Sequence, residues 1–121
     1  MEDNLITVVV PVFNNQNTIE ETIESVLNQT NSNWEVICVD DGSTDNSVSI
    51  IKEYCKKDDR ISLIIRDIAP KGGSHCRNIG AFNAKGKYVM FLDADDLLAP
   101  FCLEKRLSSI KDTNADFVVF P

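Results

Sequence analysis

Positive charge is in short supply: 12 Lys and Arg stand against 19 Asp and Glu, a formal net charge of −7. A field of that sign repels nucleic acid and anionic membrane surfaces, so neither is an expected partner. A phosphorylated ligand would need local help from a metal ion or a few placed cations. Histidine is nearly absent. His75 stands alone and no CxxC pair accompanies it, which leaves no ligand set with the spacing of a structural zinc site. Cys38, Cys55, Cys76 and Cys102 are widely spaced, mostly among apolar neighbours, and read as reduced core thiols. No apolar run approaches the roughly 20 residues of a membrane span. The acidic start MEDNLITVVVPVF also lacks the cationic flank of a signal peptide, so a cytoplasmic location is expected. Repeats, low-complexity tracts and flexible linkers are missing as well. What remains is a chain of 121 residues, 43% hydrophobic, sized for one domain with one core.

Strands and helices alternate along it. Leu5 to Val10 is a β-branched run, stopped by Pro11, of the kind buried on both faces of a parallel sheet. From Asn17 to Asn28, Ile19, Ile23, Val26 and Leu27 follow helical spacing, and Thr18 with Glu21 has the form of a capping box. Trp34 to Val39 is a second strand, after which DDGSTDNS offers a turn at Gly42 and a helix cap at Ser43 or Thr44. Val48, Ile51, Tyr54 and Cys55 make the next amphipathic stripe. Ile61 to Ile65 is a third strand, APKGGSHCRNIG a loop entering a short helix near Arg77, and Tyr88 to Leu92 a fourth strand. Pro100 opens a helix whose Leu103, Leu107 and Ile110 share a face, and Asp116 to Phe120 begins a fifth strand. The alternation implies right-handed crossovers and an α/β, doubly wound, mainly parallel sheet with helices on both faces.

In such sheets ligands bind beyond the carboxyl ends of the strands. Three polar clusters fall there: PVFNN, DDGSTD and DADD. With 12 Asp in the chain, chance alone supplies roughly one DxD, so position must carry the meaning. Residues two apart on a strand point to one side. Asp93 and Asp95 are therefore expected to converge on a ligand while Asp96 points away. Hard oxygen ligands beside a phosphate favour Mg²⁺ or Mn²⁺. Asp40 and Asp41 would place one side chain on each face. One could accept hydrogen bonds from a base or ribose while the other braces the turn through Ser43 or Thr44, or both could serve the turn and helix cap alone. His75 is expected to be an exposed loop residue.

VVVPVFNNQNTIEETIESVLNQT, EVICVDDGSTDNS and GGSHCRNIGAFNAKGKYVMFLDADDLL resemble, in order and spacing, the Rossmann-like, nucleotide-binding half of family 2 glycosyltransferases of the GT-A fold. The resemblance covers nearly the whole chain and implies a nucleotide-diphosphate sugar, often UDP-linked, as donor. It implies that Pro11, Phe13 and Asn14 line the base pocket and that Asp41, with Asp40 beside it, hydrogen-bonds the base. Arg77 would lie near the nucleotide. Asp93 and Asp95 match the DxD motif, the first near the ribose and the second on Mn²⁺ or Mg²⁺, with Arg77 or Lys71 adding positive charge. The family generally inverts the anomeric centre, using an Asp or Glu base on an acceptor hydroxyl, often of a glycan in polysaccharide biosynthesis. That base and the acceptor-binding region are expected beyond residue 121. Residues 1–121 are thus expected to form a single donor-binding domain, inactive alone and able to form a homo-oligomer, with any membrane attachment, at the inner face, left to the longer protein.

Two rivals share the architecture. A receiver-like phosphoacceptor domain needs an acid pair after strand one, a phosphorylatable Asp after strand three, which Asp67 could supply, and a Lys after strand five. Strand one ends instead in Pro11, Phe13 and Asn14, and no Lys follows Phe120. A metal-dependent nucleotidyltransferase wants a glycine-rich basic loop after strand one, and VFNNQNTIEE has neither glycine nor basic residue.

Overall fold

The computed structural model describes residues 4–66, 68, 71–110 and 118–120. Strands β1 (Ile6–Val12), β2 (Trp34–Asp40), β3 (Ile61–Ile65), β4 (Tyr88–Phe91) and β5 (Val118–Phe120) alternate with helices α1 (Ile19–Leu27), α2 (Ser47–Lys57), α3 (Gly73–Phe82) and α4 (Cys102–Ile110). The sheet runs β3-β2-β1-β4-β5 and every pairing is parallel, so the doubly wound expectation holds. Connections diverge on either side of β1. The crevice that this opens lies between the ends of β1 and β4, with the end of β2 beside it.

Alternation along the strands builds two cores. Val8, Val10 and Val12 point to the face covered by α1, α2 and α4, where Ile19, Ile23, Ile51, Leu103 and Leu107 meet them. Val9, Ile37, Val39 and Val89 point to the other face, under α3, where Cys76 is buried. The helices therefore divide three to one. Helix α3 comes unusually near the sheet because of Gly80: a Cβ there would sit 2.3 Å from Cγ1 of Val9. All four thiols are free, with Cys38 and Cys76 buried and Cys55 and Cys102 half-buried.

Several boundaries differ from expectation for identifiable reasons. Pro11 does not stop β1, which pairs with β2 as far as Val12 opposite Asp40. Its effect falls on the other side. The Val9 carbonyl accepts from the Leu92 amide and the Val12 carbonyl from the Asp41 amide, so alternate residues of β1 face alternate neighbours. Pro11 shares the orientation of Val9 and has no N–H to offer β4. The β1–β4 pairing accordingly ends at Val9 opposite Phe91, and the strands part at the crevice. The Thr18–Glu21 capping box does not form, because the Thr18 hydroxyl donates to the Ala94 carbonyl at 2.8 Å. Neither Ser43 nor Thr44 caps α2; the Ser47 amide at its start donates to Oδ1 of Asp45 instead. Helix α3 begins at Gly73, after Gly72 at φ 138°, a conformation that L side chains rarely adopt, so His75 is a half-buried helical residue and not an exposed loop residue. Asp67, Asp116 and Phe117 lie outside the described residues, as does the side chain of Ile110. Among the described residues no helix is long and apolar enough to cross a membrane.

Candidate functional site

The loop after β2 is held from within. Asp40 is buried, and its Oδ2 accepts from the Gly42 and Ser43 amides at 3.0 and 2.9 Å while its Oδ1 accepts from the Ser43 hydroxyl at 2.5 Å. The bond from the Gly42 amide makes an Asx turn, and the Ser43 amide and hydroxyl engage the carboxylate as well, so both oxygens belong to the turn. Asn14 laces the β1 loop to this one. At φ 52°, a left-handed conformation that asparagine tolerates, its Oδ1 accepts from the Thr44 amide at 2.8 Å and its own amide donates to Oγ of Ser43.

Asp41 faces the cleft but is equally engaged. Its Oδ1 pairs with Nη1 of Arg66 at 2.8 Å, its Oδ2 accepts from the Gly72 amide at 2.7 Å, and its carbonyl accepts from Lys71 at 3.1 Å. Burial works against its ionisation. The hydrogen bonds from Gly72 and Arg66, with the charges of Arg66 and Lys71, outweigh that and hold the carboxyl below the usual carboxylate range. Beside it, burial pushes the Cys76 thiol up, helped by the nearby Asp41 carboxylate, so this cysteine is a neutral wall.

The acids after β4 are exposed. Because β4 ends at Phe91, the period-two rule no longer governs them: Asp93 to Asp96 form a turn closed by the Asp96 amide on the Asp93 carbonyl at 3.0 Å. Asp96 does not point away, as expected, but returns beside Asp93. One carboxylate oxygen from each of Asp93, Asp95 and Asp96 lies within 4.8 Å of the other two. Arg77 on α3 approaches this cluster, with Nη2 3.5 Å from Oδ1 of Asp93. A donor set of clustered, exposed carboxylates fits a hard divalent cation such as Mg²⁺ or Mn²⁺.

Three hollows run along this edge of the sheet. One of about 380 Å³ is lined by Phe13, Asp41, Lys71, Gly72 and Gly73. It shares Phe13, Asp41 and Gly73 with a central hollow of about 220 Å³ whose walls include Pro11, Cys76, Asp93 and Asp95. Asp93 in turn joins the centre to a third, bounded by Arg77, Phe91 and Asp96. The structure therefore brings Pro11, Phe13, Asp41, Arg77, Asp93 and Asp95 to one continuous cleft. Asp40 and Asn14 are not among the residues lining these three hollows and hold the neighbouring loops together. Sequence reading missed three participants: Asp96, Arg66 and Asn15. Asn15 lines the central hollow and accepts from the Phe13 amide through Oδ1 at 2.8 Å.

A family model described as glycosyl transferase family 2 matches residues 7–121. An uncharacterized glycosyltransferase of Rickettsia bellii is 41% identical over 117 residues, which make up 97% of this chain and 16% of that protein. This chain thus corresponds to a small part of that relative's length. Among solved structures, TarS of S. aureus superposes with a TM-score of 0.81 at 28% identity, over 88% of this chain and 32% of that one. TarS has also been solved in complex with UDP and with UDP-GlcNAc. Mannosyltransferase PcManGT from Pyrobaculum calidifontis, solved with GDP-Man and Mn²⁺, superposes at 0.78 with 27% identity, over 91% of this chain and 33% of its own. These findings favour neither a receiver domain nor a nucleotidyltransferase. The chain belongs to glycosyl transferase family 2.

Proposed function

We propose that these residues bind a nucleotide-diphosphate sugar, UDP-linked, together with Mn²⁺ or Mg²⁺, as the donor side of an inverting glycosyl transfer to an acceptor hydroxyl. The observation that carries the reading is the continuous cleft that joins the Phe13–Asp41 hollow to the Asp93–Asp95–Asp96 cluster. Phe13, 57% exposed beside that cleft, offers an apolar ring to a base, and Pro11 adds a wall. Asp41, kept ionised by Arg66 and Gly72, is suited to accept from a base N–H. Arg77 and Lys71 supply positive charge toward the diphosphate in a chain that is otherwise acidic.

Asp95, with Asp93, would hold the cation, which when bound supplies charge neutralisation and Lewis-acid stabilisation of the leaving nucleoside diphosphate. The catalytic base and the acceptor-binding groups are assigned to no residue among these 121. The TarS complexes with UDP and UDP-GlcNAc support the choice of nucleotide, and the PcManGT complex supports the choice of metal. Calorimetric titration with UDP, with and without Mn²⁺ and with GDP as control, tests the reading. Binding that requires Mn²⁺ and prefers UDP is expected. A folded sample that binds neither nucleotide would overturn it.

A further inference from the structure

Three carboxylates gathered within 4.8 Å repel one another, and β4 no longer restrains them because its ladder has ended at Phe91. The Asp96 amide on the Asp93 carbonyl closes the turn, and contacts from α1 add to that single bond. The turn's inner residue, Ala94, is buried, and the Ala94 carbonyl accepts from the Thr18 hydroxyl at 2.8 Å. The Thr22 hydroxyl lies 2.9 Å from the same carbonyl and 2.8 Å from that of Asp96. One turn further along α1, Oγ of Ser25 accepts from the Leu98 amide at 3.1 Å. Gln29, just past the helix, donates to the Ala99 carbonyl at 2.7 Å and accepts from the Leu103 amide at 3.0 Å.

The polar positions 18, 22, 25 and 29 are spaced by four, three and four, which is one face of a helix, and they meet residues 94 to 103 in chain order. Thr22 is fully buried, so its hydroxyl serves the acid turn and not solvent. A buried stripe of this kind is costly unless every group finds a partner; Thr18 and Thr22 find theirs in the backbone of the acid turn, Ser25 and Gln29 in the segment that follows it.

We infer that this stripe on α1, with Thr22 at its centre and Thr18 beside it, is a positioning element that sets the geometry of the acid turn for cation binding. The inference rests on the donor-site reading and extends it to residues that touch neither nucleotide nor metal. Thr22 is a positioning residue, acting through the Ala94 and Asp96 carbonyls. Removing its hydroxyl frees the turn to relax under the repulsion of its own charges, and outer groups that orient metal ligands typically change metal affinity by about 10- to 100-fold.

The test is Mn²⁺ affinity in the presence of saturating UDP, read by electron paramagnetic resonance, for wild type, Thr22→Val and Thr22→Ser. Valine keeps the shape and loses the hydroxyl; serine keeps the hydroxyl. The expected result is Mn²⁺ binding weakened about tenfold in Thr22→Val and restored in Thr22→Ser. If Thr22→Val does not fold, Thr18→Val, at a half-buried position, takes its place with a smaller loss expected in the same direction. Folded Val variants that bind Mn²⁺ as wild type does, whatever their melting temperature, would overturn the inference and leave the donor site intact. A folded wild type that binds no Mn²⁺ would contradict the donor-site reading itself, and the inference with it.

Discussion

Two acidic loops end neighbouring regions of one sheet and solve the same electrostatic problem in opposite ways. After β2, Asp40 and Asp41 are buried, and the described hydrogen bonds engage all four of their carboxylate oxygens. After β4, Asp93, Asp95 and Asp96 are exposed and crowded, with Arg77 at 3.5 Å as a loose counter-charge to one of them. Carboxylates paired with internal donors build a wall, whereas carboxylates gathered without such donors suit a ligand that brings its own positive charge. The difference separates acids whose oxygens the protein already engages from acids left open to a ligand more sharply than the count of acids does, since both loops read as runs of Asp in the sequence.

Removing Asp40 should have the largest effect on stability. Asp40→Ala leaves the Gly42 and Ser43 amides and the Ser43 hydroxyl without their acceptor, and hydrogen bonds to charged groups contribute about 1.5–3 kcal/mol each, so a loss on the order of 3 kcal/mol is expected in urea unfolding. A loss under about 0.5 kcal/mol would erase the contrast between the loops. Asp95→Ala should behave the other way round. It is expected to weaken Mn²⁺-dependent UDP binding by about 100-fold with a melting curve like that of wild type, as surface substitutions usually give. Unchanged titrations would remove Asp95 from the metal site.

Asp41 allows a pH test. Its folded carboxyl lies below the ordinary value of about 3.9, so its stabilisation is complete above that value and is lost as pH falls through the lowered folded value. Asp41→Asn should therefore cost about 1–2 kcal/mol at pH 7, and the gap to wild type should close as pH falls below about 4. A gap that widens toward acid would mean that Arg66 and Gly72 do not favour the charged form. The smallest effect is expected at the residue the turn brings back: Asp96→Asn should weaken Mn²⁺ binding about threefold, well short of the Asp95 effect. Equal losses at the two positions would make the turn, and not the DxD pair, the unit that binds.

Much of this was legible in the sequence, because parallel strands buried on both faces must be runs such as ITVVV and VICV, and because ligand sites in these sheets sit at strand ends. That rule and the family resemblance point to Pro11, Phe13, Asp41, Arg77, Asp93 and Asp95, which line adjoining hollows along one edge of the sheet. What escaped depends on contacts distant in the chain or on where a strand stops. Arg66 and Gly72 reach Asp41 across 25 and 31 positions, and no local pattern announces them. The strand rule points Asp96 outward, but the rule ceases to apply after Phe91, a consequence of the N–H that Pro11 lacks. The stripe at Thr18, Thr22, Ser25 and Gln29 was visible as helical spacing of polar residues. The apolar positions of α1 dominate its pattern, and Thr18, which local spacing makes a cap, instead reaches another loop through its hydroxyl.

In the proposed donor site the exposed acids at the end of β4 hold a cation beside a nucleoside diphosphate in the cleft. Anomalous diffraction from crystals grown with UDP and Mn²⁺ addresses it directly. One strong manganese peak is expected within coordination distance of Asp95, with UDP density running from Phe13 and Asp41 toward it. UDP bound in that cleft with no manganese near Asp93, Asp95 or Asp96 would contradict it.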